Sequence, residues 1–479
     1  MFMKQRMKHT KKQQSRGSVM VYGLIIMLSV SIIVTSMIMF VSKQTKYSLD
    51  SSSRQSAFNV AESGINYYKW YLSHKTSGKT VAQIADFWQN GNPYGVSAPY
   101  EAEYFDPEGG AVGKYRIEVT PPSASSTIIV VRSTGWTYKS PDATRVIEVR
   151  FRKPAWSEYA LLGNEQQYIL PSTNVNGKIF VNNGVRFDGV AHNTVSAGVA
   201  TYYDTTASAT KPGAWSSWAN DYNTTQSANV FDAGKQYPKT AVDFTGVTAN
   251  LSAIKTTAKS SGINNNCSAS NCYFDNTKAG WHIILKADGT FDIRNVKTFS
   301  NPGVGNIGNS TSEITAYQGN WATYTIPDNG AIFVENNVWI EGTLSNKKLS
   351  IVSANLISAA KYNTYIQNSI TYAHNDGSEI LGIIAQNDIE ITKNSANNLV
   401  INAALLSQTG RVGRSNYGNS KSSITILGAI ATNSKFGFSY ADGTGYASNT
   451  LTYDNNLLYA PPPYFPTGTQ YVMDLWKEL

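Results

Sequence analysis

Arg16-Gly17-Ser18-Val19-Met20-Val21-Tyr22-Gly23-Leu24-Ile25-Ile26 opens the stretch that decides how this 479-residue chain is built. From Val19 to Val41 no residue is charged, and the polar ones are few and small (Ser29, Ser31, Thr35, Ser36). About 20 such residues let a helix cross the hydrocarbon core of a bilayer. Lys4, Arg6, Lys8, Lys11, Lys12 and Arg16 precede the run without a single acid. The positive-inside rule then predicts a cytoplasmic N-terminus. The expected product is a single-pass protein of the inner membrane, with its bulk outside the cytoplasm.

A secretory signal carries its cleavage site after the apolar run. Here the glycine that looks cleavable, Gly17, comes before it, so cutting between Gly17 and Ser18 would leave the run on the mature chain. Downstream stands Phe58-Asn59-Val60-Ala61-Glu62-Ser63-Gly64-Ile65. Basic leader, glycine, apolar run and this Ala-Glu-Ser-Gly segment, in that order over the first 70 residues, resemble the type IV prepilin signal and the signature of PilX-type minor pilins. The resemblance implies cleavage after Gly17 by a prepilin peptidase, with Ala61, Glu62 and Gly64 as signature positions on the pilin helix. It also implies partners among other pilins through that helix, and exposure at the cell surface on a pilus. The other reading of the same residues is an uncleaved anchor with a stalk.

Phe58, Ala61, Ile65, Tyr68 and Leu72 follow a three-four spacing, an apolar stripe on one helical face. A helix over 18–72 is predicted, half membrane span and half packed on an outer domain. Counted from Ser18, the fifth residue is Tyr22, where most pilins carry a glutamate thought to pair with a neighbour's N-terminal ammonium. A charge in hydrocarbon is tolerable only when paired, so its absence points to a minor subunit near the pilus tip.

The charged fraction is 15% and there are 29 tyrosines, the profile of a β-rich extracellular protein. The six leader cations account for most of the formal +8, leaving +2 for the remainder, so nucleic acid is not an expected partner. Cys267 and Cys272 outside the cytoplasm read first as a short-loop disulfide, with free thiols or a metal site as the other readings. Alternation at Tyr115, Ile117 and Val119, a β-branched run over 127–134, and alternation at Ile147, Val149 and Phe151 predict three strands of a small sheet within 73–160. Residues 73–113 are expected to be an irregular connection.

Beyond residue 160 the pattern turns to weak repeats. Ile179-Phe180-Val181-Asn182-Asn183-Gly184-Val185, Ile332-Phe333-Val334-Glu335-Asn336-Asn337-Val338 and Ile383-Ile384-Ala385-Gln386-Asn387-Asp388-Ile389 each read strand, Asn-rich corner, strand. The fold class is therefore α+β: a long transmembrane pilin-like helix with a small antiparallel sheet, then a mainly-β domain over 161–460. That domain reads as a right-handed parallel β-solenoid, with a β-sandwich as the alternative. Ile179, Ile332, Val338, Ile340, Ile384, Ile389 and Ile391, or their immediate neighbours if the register is off by one, are expected to point inward, and Glu390 outward. Residues 201–320 repeat poorly and read as long insertions or an extra lobe. Residues 461–479, with Pro461-Pro462-Pro463-Tyr464-Phe465-Pro466 and Trp476, read as a strap over an open end of the stack.

No catalytic constellation emerges. Gly303-Val304-Gly305-Asn306-Ile307-Gly308 lacks a strand–turn–helix context, and Gly78-Lys79-Thr80 lacks a glycine-rich loop. His74, His192, His282 and His374 are scattered. Asp388 with Glu390, or Asp188 with Glu335, could meet on one face, but such acids are expected to be solvated corners. The chain is read as a non-enzyme without cofactor or metal. Its expected role is a tip-proximal pilin-like subunit in pilus assembly or priming. The alternative is a membrane-anchored surface adhesin or glycan-recognition protein.

Overall fold

The computed structural model describes residues 18–79, 81–122, 127–244, 251–259, 265–300, 311–468 and 471–479. Helix α1 (Ser18–Thr76) runs for 59 residues without a break, roughly 88 Å at 1.5 Å per residue. It has two unlike halves. From Val19 to Ser52 every side chain is exposed. Within that half the hydroxyls of Ser29, Thr35 and Thr45 donate to carbonyls one turn back, at 2.8, 2.7 and 2.9 Å. They therefore carry no unmet hydrogen bond into an apolar medium. From Ala57 onward, Val60, Ala61, Ile65, Tyr68 and Leu72 form a buried stripe.

That stripe packs on an antiparallel sheet of β1 (Tyr100–Phe105), β2 (Ala111–Thr120), β3 (Ile128–Thr137), β4 (Ser140–Arg152) and a fifth strand, Val472–Glu478. Tyr115, Ile117 and Val119 of β2, Ile129 and Val131 of β3, and Ile147, Val149 and Phe151 of β4 face the helix in one apolar core. Their alternation with exposed polar residues is what a sheet covered on one side requires. The span 73–113 is more ordered than its Gly and Pro content suggests. It holds α2 (Val81–Gln89) and β1, because Ile84 and Phe87 lie three apart and are buried.

Most of the remaining strands stack in parallel, and three of the ladders they form are long. In the first, Ile332 stands opposite Ile351, which stands opposite Ile383. The 51-residue spacing of the two copies is thus two ladder steps. In the second, Val338, Thr364, Ile389 and Val412 follow one another. In the third, Ile401, Ile426, Leu451 and Val175 do so. Asparagines at the corners bond along the stack: Asn387 Nδ2 donates to Asn363 Oδ1 at 2.9 Å, and Asn182 Nδ2 to Asn164 Oδ1 at 2.8 Å. Such bonds satisfy the polar groups where the chain turns.

The chain order through the stack is broken. Leu161–Gly163 enters beside Ile430–Thr432, and the chain steps away through Ile179–Val181 and Val195–Ala197 to Lys235–Gln236. After the helix Leu251–Ala258 it resumes at Cys272–Phe274, at the opposite end of the first ladder, and returns. That helix buries Leu251, Ile254 and Ala258 in a second apolar layer with Phe333, Val352 and Ile384. The first ladder is therefore covered on both faces.

Two expectations change as a result. Ile384 belongs to the outer layer, whereas its neighbour Ile383 points inward with Ile179, Ile332, Val338, Ile340, Ile389 and Ile391. The segment from Pro461 onward does not close an end of the stack. Pro461 and Pro462 are buried, Phe465 joins the outer layer, and Ser350 donates its hydroxyl to the Pro463 carbonyl. Val472–Glu478 then pairs with β4, and Trp476 meets Phe58 edge-on at 5.8 Å. At one end of the stack Asn266–Cys267 pairs antiparallel with Cys272–Tyr273, and beside it Gly280–Leu285 continues into an antiparallel meander. Both devices remove free edges.

Candidate functional site

The residues singled out by sequence fall in three places. Gly17 and the basic leader lie outside the described residues, as does the Gly303–Gly308 loop. Ser18 is the first helical residue, and Tyr22 stands exposed in the apolar half of α1. Ala61 and Gly64 sit where the helix comes nearest the sheet. A Cβ on Gly64 would collide with the Ser133 hydroxyl and press on the Tyr115 ring, and one on Gly135 would collide with the backbone of Ala57 and Ala61. Small residues on both sides permit this approach. Glu62 points to solvent on the opposite face. Cys267 and Cys272 form a disulfide.

Of the acids expected on solvated corners, Glu390, Asp188 and Glu335 are buried and engaged, while Asp388 is half-buried and accepts from the Arg411 N–H at 2.8 Å. Glu390, on the second ladder, accepts from Arg411 Nη2 at 2.7 Å and Tyr417 Oη at 2.8 Å, and also from the Ser415 N–H. Burial pushes its carboxyl above the ordinary value, with the Arg411 charge and these donors opposing. Its outward direction led to the wrong environment because Tyr417 and Ser312 cover it, joined by a 3.0 Å hydrogen bond. Asp188 is held by Arg186, Ser216 and Ser217, and Glu335 by Lys255 and Tyr273. Each carboxylate has donors enough to make its role local packing. Among the described residues no three His, Cys, Asp or Glu side chains gather as a metal site would need.

A cleft of about 320 Å³ opens beside the second ladder, between Gln166–Leu170, the 202–206 hairpin and Phe436–Ala441. Tyr168, Phe436, Phe438 and Tyr440 supply apolar surface, and Arg411, Lys435 and Asn449 supply polar groups. The hairpin wall is internally satisfied. Burial opposes the Asp204 carboxylate, but the N–H groups of Ala207 and Thr206, the Tyr202 hydroxyl and the Trp215 indole hold it below its usual range. Sequence reading passed over this cleft; its signal was the alternation Phe436-Gly437-Phe438-Ser439-Tyr440, aromatic rings spaced for one side of a strand.

Comparison with known proteins gives distant matches of overall shape only. The competence-associated pilin ComZ from Thermus thermophilus matches at 12% identity over 89% of this chain and 97% of its own, with a TM-score of 0.32. The ice-binding protein of the Antarctic ascomycete Antarctomyces psychrotrophicus matches at 12% identity over 63% of this chain and 96% of its own, with a TM-score of 0.24. No family model and no curated protein matches.

What remains without cover is the apolar half of α1. It is the one helix among the described residues long and apolar enough to cross a membrane. Among the described residues nothing packs on it: Leu24, Ile25, Ile32, Ile33, Met37 and Phe40 are each more than half exposed. Burying one such side chain is favourable by about 1.5–3 kcal/mol. A medium or a partner must take up this surface.

Proposed function

We propose that this chain is a minor type IV pilin-like subunit, structural and not catalytic, that helps to prime pilus assembly and stays near the tip. One observation carries the reading: a single unbroken helix whose first half is apolar and uncovered and whose second half is the spine of a small α/β unit. Such a helix can rest in the membrane before assembly and among the helices of other pilins afterwards. The basic leader and the Gly17-Ser18 step supply the prepilin part of the reading, and Tyr22 in place of a carboxylate supplies the tip-proximal part. The stacked ladders, the corner asparagines and the 51-residue double step support reading the larger domain as a parallel β-solenoid presented outside the cell.

The test is to recover the chain from sheared filaments. Its N-terminal sequence is expected to begin at Ser18, and immunogold against the ladder domain to mark one filament end. A Gly17→Val chain should insert in the membrane and stay out of filaments. An intact leader on filament-borne protein, or label spread evenly along the shaft, would overturn the proposal.

A further inference from the structure

The cleft beside the second ladder is lined by side chains that their own neighbours hold in place. Its floor includes Asn449, only 5% exposed. The Nδ2 of this residue donates to Ser439 Oγ at 2.6 Å, while its Oδ1 finds no hydrogen-bond partner among the described residues.

The walls add surface and charge. Arg186 lies over the Tyr168 ring, 4.4 Å from its centroid, and holds that ring in place. Phe436 and Phe438 meet edge-on at 5.1 Å, so the rings opposite are fixed as well. Arg411 is pinned by Glu390, and Asp204 is saturated by its own donors. Lys435 is different: it is exposed at the rim and enters no ion pair among the described residues. The lining thus carries one cation that no carboxylate neutralises.

We infer that this cleft binds a saccharide unit bearing a carboxylate. The C–H face of a sugar ring packs on an aromatic side chain such as Tyr168, and its acid group suits Lys435 in a charge-assisted hydrogen bond. The volume stands at the small end of the roughly 300–1,000 Å³ usual for ligand sites, which fits one or two sugar units. This inference deepens the recognition reading of the ladder domain and does not depend on the filament reading. A chain that never enters a pilus could still bind.

The experiment titrates the full chain in detergent micelles by calorimetry at about 0.15 M salt, near the physiological range. The probes are oligosaccharides ending in galacturonate or N-acetylneuraminate, beside a neutral galactose-ended counterpart. At least one acidic probe is expected to bind saturably, with the neutral one at least about tenfold weaker, the scale of one charge-assisted hydrogen bond. Lys435→Ala should weaken the acidic probe by about tenfold with an unchanged melting temperature, and Tyr168→Ala should weaken it too. Lys114→Ala, in β2, should leave binding as it was. No binding by any probe, equal binding of neutral and acidic probes, or indifference to Lys435→Ala would each overturn the inference.

Discussion

The small antiparallel sheet and the ladder domain solve the same burial problem in opposite ways. The sheet hides one face under α1 and leaves the other to water, so its strands alternate buried and exposed residues. The first ladder hides both faces, one in the stack interior and one beneath the helix Leu251–Ala258 and the Pro461–Phe465 segment. Its strands Ala331–Val334 and Ile380–Ala385 are buried at every position. Two-sided cover turns alternation into a plain apolar run. Polar residues in the two regions consequently have different fates. In the sheet they reach solvent; in the first ladder they must find partners inside.

The largest expected contrast is between Glu390 and Glu62. Glu390→Ala strips the half-buried Arg411 and the buried Tyr417 hydroxyl of their shared acceptor and should cost about 3–5 kcal/mol, read by denaturant unfolding of the detergent-solubilised chain. Glu62→Ala, on the solvent side of α1, should stay within about 0.5 kcal/mol. Equal small effects would mean that the cover over Glu390 is open to water. The next test separates the two faces of the first ladder. Ile383→Ala removes an inward side chain and Ile384→Ala an outward one, and both should cost about 2–5 kcal/mol. If Ile384→Ala costs as little as a surface change, the outer layer is not a second core.

The smallest effect concerns the joint between the regions. Lys153 follows β4, is 8% exposed, and lies 5.1 Å from the Tyr471 ring centroid. Burial pushes its ammonium down to about 8 from the ordinary 10.5. Between those values the unfolded chain binds the proton that the folded chain has released, so this group's contribution to stability rises with pH across the window. Lys153→Met should therefore stabilise the protein most below pH 8, by about 1–3 kcal/mol. The gain should fade as the pH approaches 10.5. A gain that does not change between pH 7 and 10.5 would show that Lys153 keeps its charge in water.

Legibility in the sequence follows the same division. The helix, its buried stripe at Ala61, Ile65, Tyr68 and Leu72, and the strands around Ile117, Val131 and Val149 were readable because one-sided burial leaves a period. In the ladders the copies at Ile332 and Ile383 gave the step length, since identical corners recur. The face of each residue was harder: Ile383 and Ile384 are equally apolar, and only the cover outside decides which looks inward. Glu390 was misplaced for the same reason, because nothing in Asp388-Ile389-Glu390-Ile391 announces Arg411 or Tyr417 some 20 residues on. The cleft went unread because its rings and cations come from separate turns of chain, over 166–170, 202–206 and 411–449.

The entry point of the chain into the stack has a mechanical meaning. Leu161–Gly163 is flanked by Ile430–Thr432 on one side and Ile179–Val181 on the other. The returning chain is clamped to the same place, with Trp156 N–H donating to the Pro466 carbonyl at 3.1 Å and Gly468 N–H to that of Pro154 at 2.6 Å. Arg152 grips Glu158 through two 2.9 Å bonds and lies 3.0 Å from Asp474. A tug between the helix-bearing unit and the ladder domain thus arrives at the waist of the stack, on two tethers at once. To yield, the entry strand must shear from two neighbours together, instead of unzipping coil by coil from a loose end. A body hung by its middle can be pulled hard without unravelling.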